Sequence, residues 1–353
     1  MSAPLDIVFL GLSITSSWGN GHAVTYRGLV RELCRAGHRV LFLERDVPWY
    51  AENRDLPAPP FGRTALYRSL DELRGRFAEQ VREADLVVVG SYVPDGVAVG
   101  EWALSAARGR TAFYDIDTPV TLANVRRGEC GYLTAAQVPR YDLYLSFTGG
   151  PLLERIEREL GARRARPLYC SCDPEEHRPA EVPLRWDLGY LGTYSADRQP
   201  ALEALLVEPA RRWPAGRFAV VGPMFPPGLR WPANVDRSAH LSPREHRGFY
   251  GAQRFTLNVT RADMVQAGWS PSVRLFEAAA CGTPVVSDRW PGIEDFFRPG
   301  EELLLARSSE EALAIVRDTP EAARRRIGAA ARRRVLAEHT AAHRARALEG
   351  YLS

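Results

Sequence analysis

The sequence predicts an α/β architecture of two doubly wound, Rossmann-like domains, and three features carry that prediction. Short, nearly continuous apolar runs alternate with stretches of helical periodicity. The alternation breaks once, at a polar, proline-rich segment over residues 172–183, and then restarts. Apolar strands without a polar face are covered on both sides, as in a parallel sheet with crossover helices. A chain of 353 residues divides naturally into two domains of about 150 residues each.

In the first half, residues 5–11 read as a buried strand, 22–36 as a helix closed by Gly37, and 39–44 as the next strand. Strands at 85–90, 111–116, 143–148 and 166–170 continue the series, and a helix over 151–160 is opened by Pro151 and closed by Gly161. The second half has strands at 188–191, 218–221, 255–259, 284–287 and 302–305, with helices at 200–212, 243–251 and 271–281. The tail over 321–353 is helical, and its arginines (Arg324 to Arg326, Arg332 to Arg334) read as a solvated helix face. The expected division is 1–175, 176–335, and a terminal helix over 336–353 that packs back on the first domain.

Composition narrows the function. The 46 basic and 43 acidic side chains leave a net charge of +3, which argues against nucleic acid as the main partner. No apolar run reaches the ~18 residues of a membrane span, and the first residues lack the basic and apolar regions of a signal peptide. Five scattered cysteines suit reduced thiols in a cytoplasm. Cys170 and Cys172 read as buried thiols in a strand rather than as a metal or redox pair. The sequence leaves the oligomeric state open.

The most informative stretch is GWSPSVRLFEAAACGTPVVSD, from Gly268 to Asp288. Ser270 reads as the N-cap and Pro271 as the first turn of a helix that Gly282 closes. A helix N-terminus offers free N–H groups and the positive end of its dipole to a diphosphate. Ser272 belongs to that turn, Arg274 adds a charge-assisted contact, and Glu277 presents a carboxylate that can accept both hydroxyls of a ribose. In two doubly wound domains, ligands collect beyond the carboxyl ends of the strands, so the function belongs in loops facing a cleft.

This segment resembles the donor-binding helix of group-1 glycosyltransferases of the GT-B architecture. DLGYLGTYSADRQP (187–200), LNVTR (257–261) and FYDIDTP (113–119) are similar to the branch related to the spore-maturation CgeB proteins. The resemblance implies that Glu277 binds the donor ribose and that Gly192 and Thr193 begin the loop near the donor phosphates. Arg198 and Arg261 join Arg274 as cationic candidates, two of the three being expected to touch phosphate. The commoner pattern carries a second glutamate at position 269, where this chain has Trp269.

In the first half, Gly19, Asn20 and Gly21 form a flexible loop that opens a helix beginning with His22, a candidate base or acceptor ligand. These glycines imitate part of a dinucleotide fingerprint, and Glu44 ends the second strand as an NAD-binding acid would. Asp115 and Asp117 imitate a metal-binding Asp-x-Asp. At the end of a first-domain strand, Asp117 reads instead as an acceptor-site carboxylate and Asp115 as structural, with Asp95 as the rival carboxylate. The expectation is therefore sugar transfer from a nucleotide diphosphate sugar, with donor in the second domain, acceptor in the first, and no metal or other cofactor. The alternatives are an NAD(P)-dependent oxidoreductase and a non-catalytic sugar-nucleotide-binding protein.

Overall fold

A computed structural model describes residues 3–19 and 21–353. The chain forms two compact units, one of residues up to Cys170 together with Ala341–Ser353, the other Ser171–Thr340. The divisions thus fall at 170/171 and 340/341, where the sequence suggests 175/176 and 335/336.

The first unit runs β1 (Asp6–Gly11), α1 (His22–Arg35), β2 (Arg39–Arg45), α2 (Pro48–Ala51), β3 (Arg63–Tyr67), α3 (Leu70–Glu83), β4 (Leu86–Gly90), α4 (Gly96–Ala106), β5 (Arg110–Asp115), α5 (Thr118–Arg127), β6 (Leu143–Ser146), α6 (Pro151–Leu160) and β7 (Ala165–Pro167). Among the described residues its seven strands are all parallel, in the order β3-β2-β1-β4-β5-β6-β7. Ile7, Phe9, Phe42, Val88 and Tyr114 pack with Tyr26 and Leu29 of α1 into one core.

The second unit repeats the plan with β8 (Trp186–Leu191), α7 (Gln199–Leu202), α8 (Glu208–Arg212), β9 (Phe218–Val221), β10 (Val235–Ser238), α9 (Pro243–Gly251), β11 (Gln253–Asn258), α10 (Ala262–Ala267), α11 (Val273–Ala280), β12 (Val285–Ser287), β13 (Leu304–Leu305), α12 (Ser309–Asp318) and α13 (Glu321–Glu338). Its six strands are also parallel, ordered β10-β9-β8-β11-β12-β13. The terminal helix α14 (Ala341–Leu352) returns to the first unit. There Ala345 and Leu348 join the core, and Arg344 donates to the carbonyls of Tyr169 and Cys170. His38 is buried against it: Nδ1 accepts from the Leu5 amide, so Nε2 carries the proton toward Glu349, 2.9 Å away.

Several differences from the sequence reading have simple causes. The edge strands β3 and β10 escape it because their exposed polar residues break the apolar run. The helix expected over 200–212 is interrupted by a π-helical segment, Glu203–Val207. Pro209 has no N–H to give the preceding turn, and the ladder shifts around it. The strand expected at 166–170 ends at Pro167, so Cys170 and Cys172 lie outside it, although both thiols are buried. Ser270 is not the N-cap of the motif helix. Gly268 and Trp269 have positive φ (68° and 43°), α11 starts at Val273, and Ser272 takes the cap position.

Candidate functional site

In the second unit, polar groups converge on the loops that follow β8 and β11. Arg274, the second residue of α11, is buried and donates Nε to the Leu191 carbonyl and Nη1 to Asn258 Oδ1 at 3.0 Å. Its guanidinium lies 4.8 Å above the Tyr190 ring. Arg198 approaches the same tyrosine, with Nη1 3.4 Å from the Tyr190 hydroxyl, and its own buried Nε meets no hydrogen-bond partner among the described residues. Two guanidinium groups thus share one tyrosine, one over its ring and one at its hydroxyl, at the carboxyl end of the central strand. Like charges gathered this way call for an anion.

The backbone is shaped to admit these groups. A Cβ on Gly192 would sit 2.6 Å from Arg274 Nη2 and 2.7 Å from the Tyr190 hydroxyl, so only glycine lets the loop lie against the guanidinium. Gly222, at φ +152°, approaches the Gly192 carbonyl so closely that a Cβ would fall 2.0 Å from its oxygen. Thr193 follows in that turn. Asn258 holds the floor, accepting from Ser272 Oγ at 2.7 Å and donating to Ser287 Oγ at 2.9 Å. Asp288 next to it accepts from the Thr260 amide and hydroxyl. Arg261 is turned toward Asp197, 3.7 Å away, whose carboxylate also accepts from the Ala262 amide. Ser270 donates to the Met264 sulfur. Trp269 donates its indole N–H to Asp295 and rests on Gly292, where a Cβ would fall 2.5 Å from the ring.

Glu277 lies one turn beyond Arg274 and is 3% exposed. Its Oε2 accepts from the Tyr250 hydroxyl at 3.1 Å, and the imidazoles of His177 and His246 face its two oxygens at 3.5 and 3.6 Å. Burial raises its pKa, but the neighbouring His177, His246 and Tyr250 outweigh burial and hold it at about 2.

The first unit carries a different set of groups on the loops after β1, β4 and β5. Tyr92 bridges the two catalytic candidates: its hydroxyl donates to Asp117 Oδ2 at 2.7 Å, and its ring lies 5.9 Å from that of His22. Tyr92 and Asp95 both hold positive φ (63° and 56°), a strained turn of the kind found at binding loops. Asp117 is half-buried at the start of α5. Behind it, Asp115 is fully buried and accepts from Tyr144 at 2.5 Å and Thr121 at 2.7 Å, while Thr121 also pairs with Tyr132. Burial raises the Asp115 pKa to about 6 against the pull of these hydrogen bonds. Burial lowers that of His22 to about 3, so the ring is neutral near pH 7. Asp95 pairs with Arg45 at 3.0 Å. Gly19 takes φ +59° beside Asn20, which lies outside the described residues, and Gly21 follows.

Of the two imitations noted in the sequence, Glu44 is the one whose contacts turn it away from its motif's role. Glu44 is fully buried and accepts from Ser13 Oγ, the Ile14 and Thr15 amides, and Thr15 Oγ1. Its oxygens brace the 13–15 loop and do not project to a ribose as an NAD-binding acid must. Among the described residues, neither Asp115 nor Asp117 belongs to a group of three potential metal ligands.

Sequence reasoning missed Tyr190, Asn258, Tyr92, His177 and His246. Asn258 had a legible signal, an amide at the end of an otherwise apolar strand. The histidines had none, because they meet Glu277 only through the fold.

Residues 198–350 match the model of a family described as glycosyl transferase-like. No curated protein matches the chain. Among solved structures, sucrose-phosphate synthase from Thermosynechococcus elongatus is similar at 16% identity over 98% of both chains, with a TM-score of 0.69. HepE from Anabaena, in complex with UDP and glucose, aligns at 15% identity over 99% of both chains, with a TM-score of 0.71. An α-glucosyltransferase in complex with UDP and a 13-mer DNA aligns at 11% identity over 99% of this chain and 100% of that one, with a TM-score of 0.72. The fold is therefore GT-B, two parallel sheets with alternating helices. The family match over 198–350 covers most of the second unit and part of the terminal helix, and the class is that of a glycosyltransferase enzyme.

Proposed function

We propose that the protein moves a glycosyl group from a nucleotide diphosphate sugar to a small-molecule or glycan acceptor, with arginines rather than a metal ion on the diphosphate. The observation that carries this reading is the pairing of Arg198 and Arg274 around Tyr190, both arginines lying in the segment that matches a glycosyl transferase-like family. Fixed guanidinium groups and the free N–H groups of the α11 N-terminus stabilise the charge that builds on a departing diphosphate. Gly192 and Thr193 line that position. Arg261 is the third cation, Ser270 and Ser272 shape the turn, and Glu277 is offered to the ribose.

On the acceptor side, Asp117 takes the acceptor proton if the reaction inverts, positioned by Tyr92. His22, Asp95 and the Gly19–Gly21 loop contact the acceptor. A histidine held at about pKa 3 is a weak base, which favours the carboxylate for proton removal. UDP is the donor nucleotide to test first, because the HepE and α-glucosyltransferase structures hold it. The segments 187–200, 257–261 and 113–119 support placement in the CgeB-related branch. Five scattered cysteines suit a reducing, cytoplasmic setting.

The test is incubation with a panel of UDP-sugars and acceptors, reading nucleoside diphosphate release together with product mass. Sugar-bearing product is expected. Tight nucleotide binding without transfer across a broad panel would replace this function with sensing, and nicotinamide-dependent absorbance change would replace it with hydride transfer.

A further inference from the structure

We propose that His177, His246 and Glu277 bind one divalent transition-metal ion, zinc being the ion their donor atoms suit best. The three side chains come from separate segments of the second unit: the turn at 173–177 before β8, α9 and α11. Their ligand atoms all lie within 4.8 Å of one another. His177 Nε2 is 3.5 Å from Oε1 of Glu277 and His246 Nδ1 is 3.6 Å from Oε2. Those gaps are too long for good hydrogen bonds. They are close to the ~3.3 Å between two ligands that each lie about 2.0–2.1 Å from a tetrahedral ion.

Protonation points the same way. His177 Nδ1 lies 3.3 Å from the Asp173 carbonyl oxygen, which can only accept, so Nδ1 carries the proton. In the neutral ring, Nε2 then turns a lone pair toward a carboxylate oxygen. That arrangement repels unless a cation lies between them or the ring takes a second proton. His246 Nδ1 is buried and meets no hydrogen-bond partner among the described residues, yet it faces the same carboxylate. Glu277 is itself a buried anion, and such a group needs a positive partner. Two imidazoles and a carboxylate are a zinc ligand set that leaves a fourth position open. The Asp173 carbonyl on His177 and the Tyr250 hydroxyl on Glu277 provide the outer contacts that orient such ligands.

An ion here staples the 171–183 segment to α9 and α11. The site does not depend on the proposed transfer, and it does not displace the ribose. A carboxylate has about four lone-pair positions, enough for Tyr250, the ion and a hydroxyl.

The experiment strips the full chain with chelator, titrates it with zinc chloride, and reads bound metal per chain by elemental mass spectrometry alongside Tm. The expected result is about one zinc per chain and a Tm raised by several degrees, since an ion bound only by the folded state stabilises it. His177→Ala and His246→Ala should each weaken zinc binding by about tenfold or more. Cobalt in place of zinc should give the visible absorption of a tetrahedral site, a readout that needs no variant. No stoichiometric binding by the stripped, folded chain would overturn the proposal. Zinc held equally well by both variants would overturn it too.

Discussion

The two units share a strand order and differ in what they place at the carboxyl ends of their strands. After β4 and β5 of the first stand phenols and carboxylates: Tyr92, Asp117 and, behind them, Asp115 with Tyr132 and Tyr144. After β8 and β11 of the second stand two arginines around Tyr190, on a floor of amide and hydroxyl groups. Under the proposed function, one topology serves two kinds of chemistry, proton handling in the first unit and anion binding in the second. The fold supplies the position, and a few side chains supply the sign of the charge.

This contrast can be broken one unit at a time. The largest effect is expected from Asp117→Asn, which keeps shape and removes charge. Transfer should fall by about 10²- to 10⁴-fold if this carboxylate is the base, with nucleotide affinity unchanged by titration calorimetry. Near wild-type turnover and acceptor KM in folded Asp117→Asn would pass the role to Asp95 or His22. The reciprocal change, Arg274→Met, should lower nucleotide affinity by roughly ten- to 150-fold, the worth of a charge-assisted hydrogen bond. A variant that binds nucleotide normally would remove the anion site from α11.

Gly192→Ala sharpens the same point sterically. Its Cβ meets the guanidinium at 2.6 Å, so nucleotide affinity should drop by less than in Arg274→Met while the tyrosine and both arginines remain. Chelator should lower Tm through the His177 site and leave the transfer rate at 25 °C intact. Loss of turnover restored by manganese would instead put an ion on the diphosphate and reopen the Asp115 and Asp117 pair.

The smallest effect concerns pH. His22 is held at about 3 in the folded chain against an ordinary 6.5, so below 6.5 the unfolded chain takes up a proton that the folded one refuses. The stability tied to this ring is thus whole above 6.5 and is lost as pH falls toward 3. Tm measured from pH 7 down to pH 4 should fall less steeply in His22→Asn. A pH–rate profile should show no acid limb near 6.5 from this histidine.

How much of this was legible in the sequence follows from how local each signal is. Buried central strands such as β1, β4 and β9 announce themselves as unbroken apolar runs, and α9 by its proline start. The edge strands β3 and β10 do not, because their exposed residues are polar. The arginines of the second unit are visible as cations beside motif residues, but Arg261 and Arg198 look alike there. Only the fold turns one to Asp197 and the other to Tyr190. Glu44 illustrates the reverse, since its place at a strand end suggests a ribose ligand while four hydrogen bonds, formed through tertiary packing, commit it to its own loop. The His177, His246 and Glu277 group was out of reach for the same reason: long-range contact has no local signature.

The most direct measurement of the central claim is a thermal-shift titration of nucleoside diphosphates against the wild-type chain, the Arg198→Ala/Arg274→Met double variant and Asp117→Asn. UDP or another nucleoside diphosphate should raise Tm of the wild type and of Asp117→Asn alike, by mass action on the folded state, and should fail to do so for the folded double variant. A double variant stabilised as much as the wild type, or a wild type that responds to no nucleoside diphosphate, would contradict it.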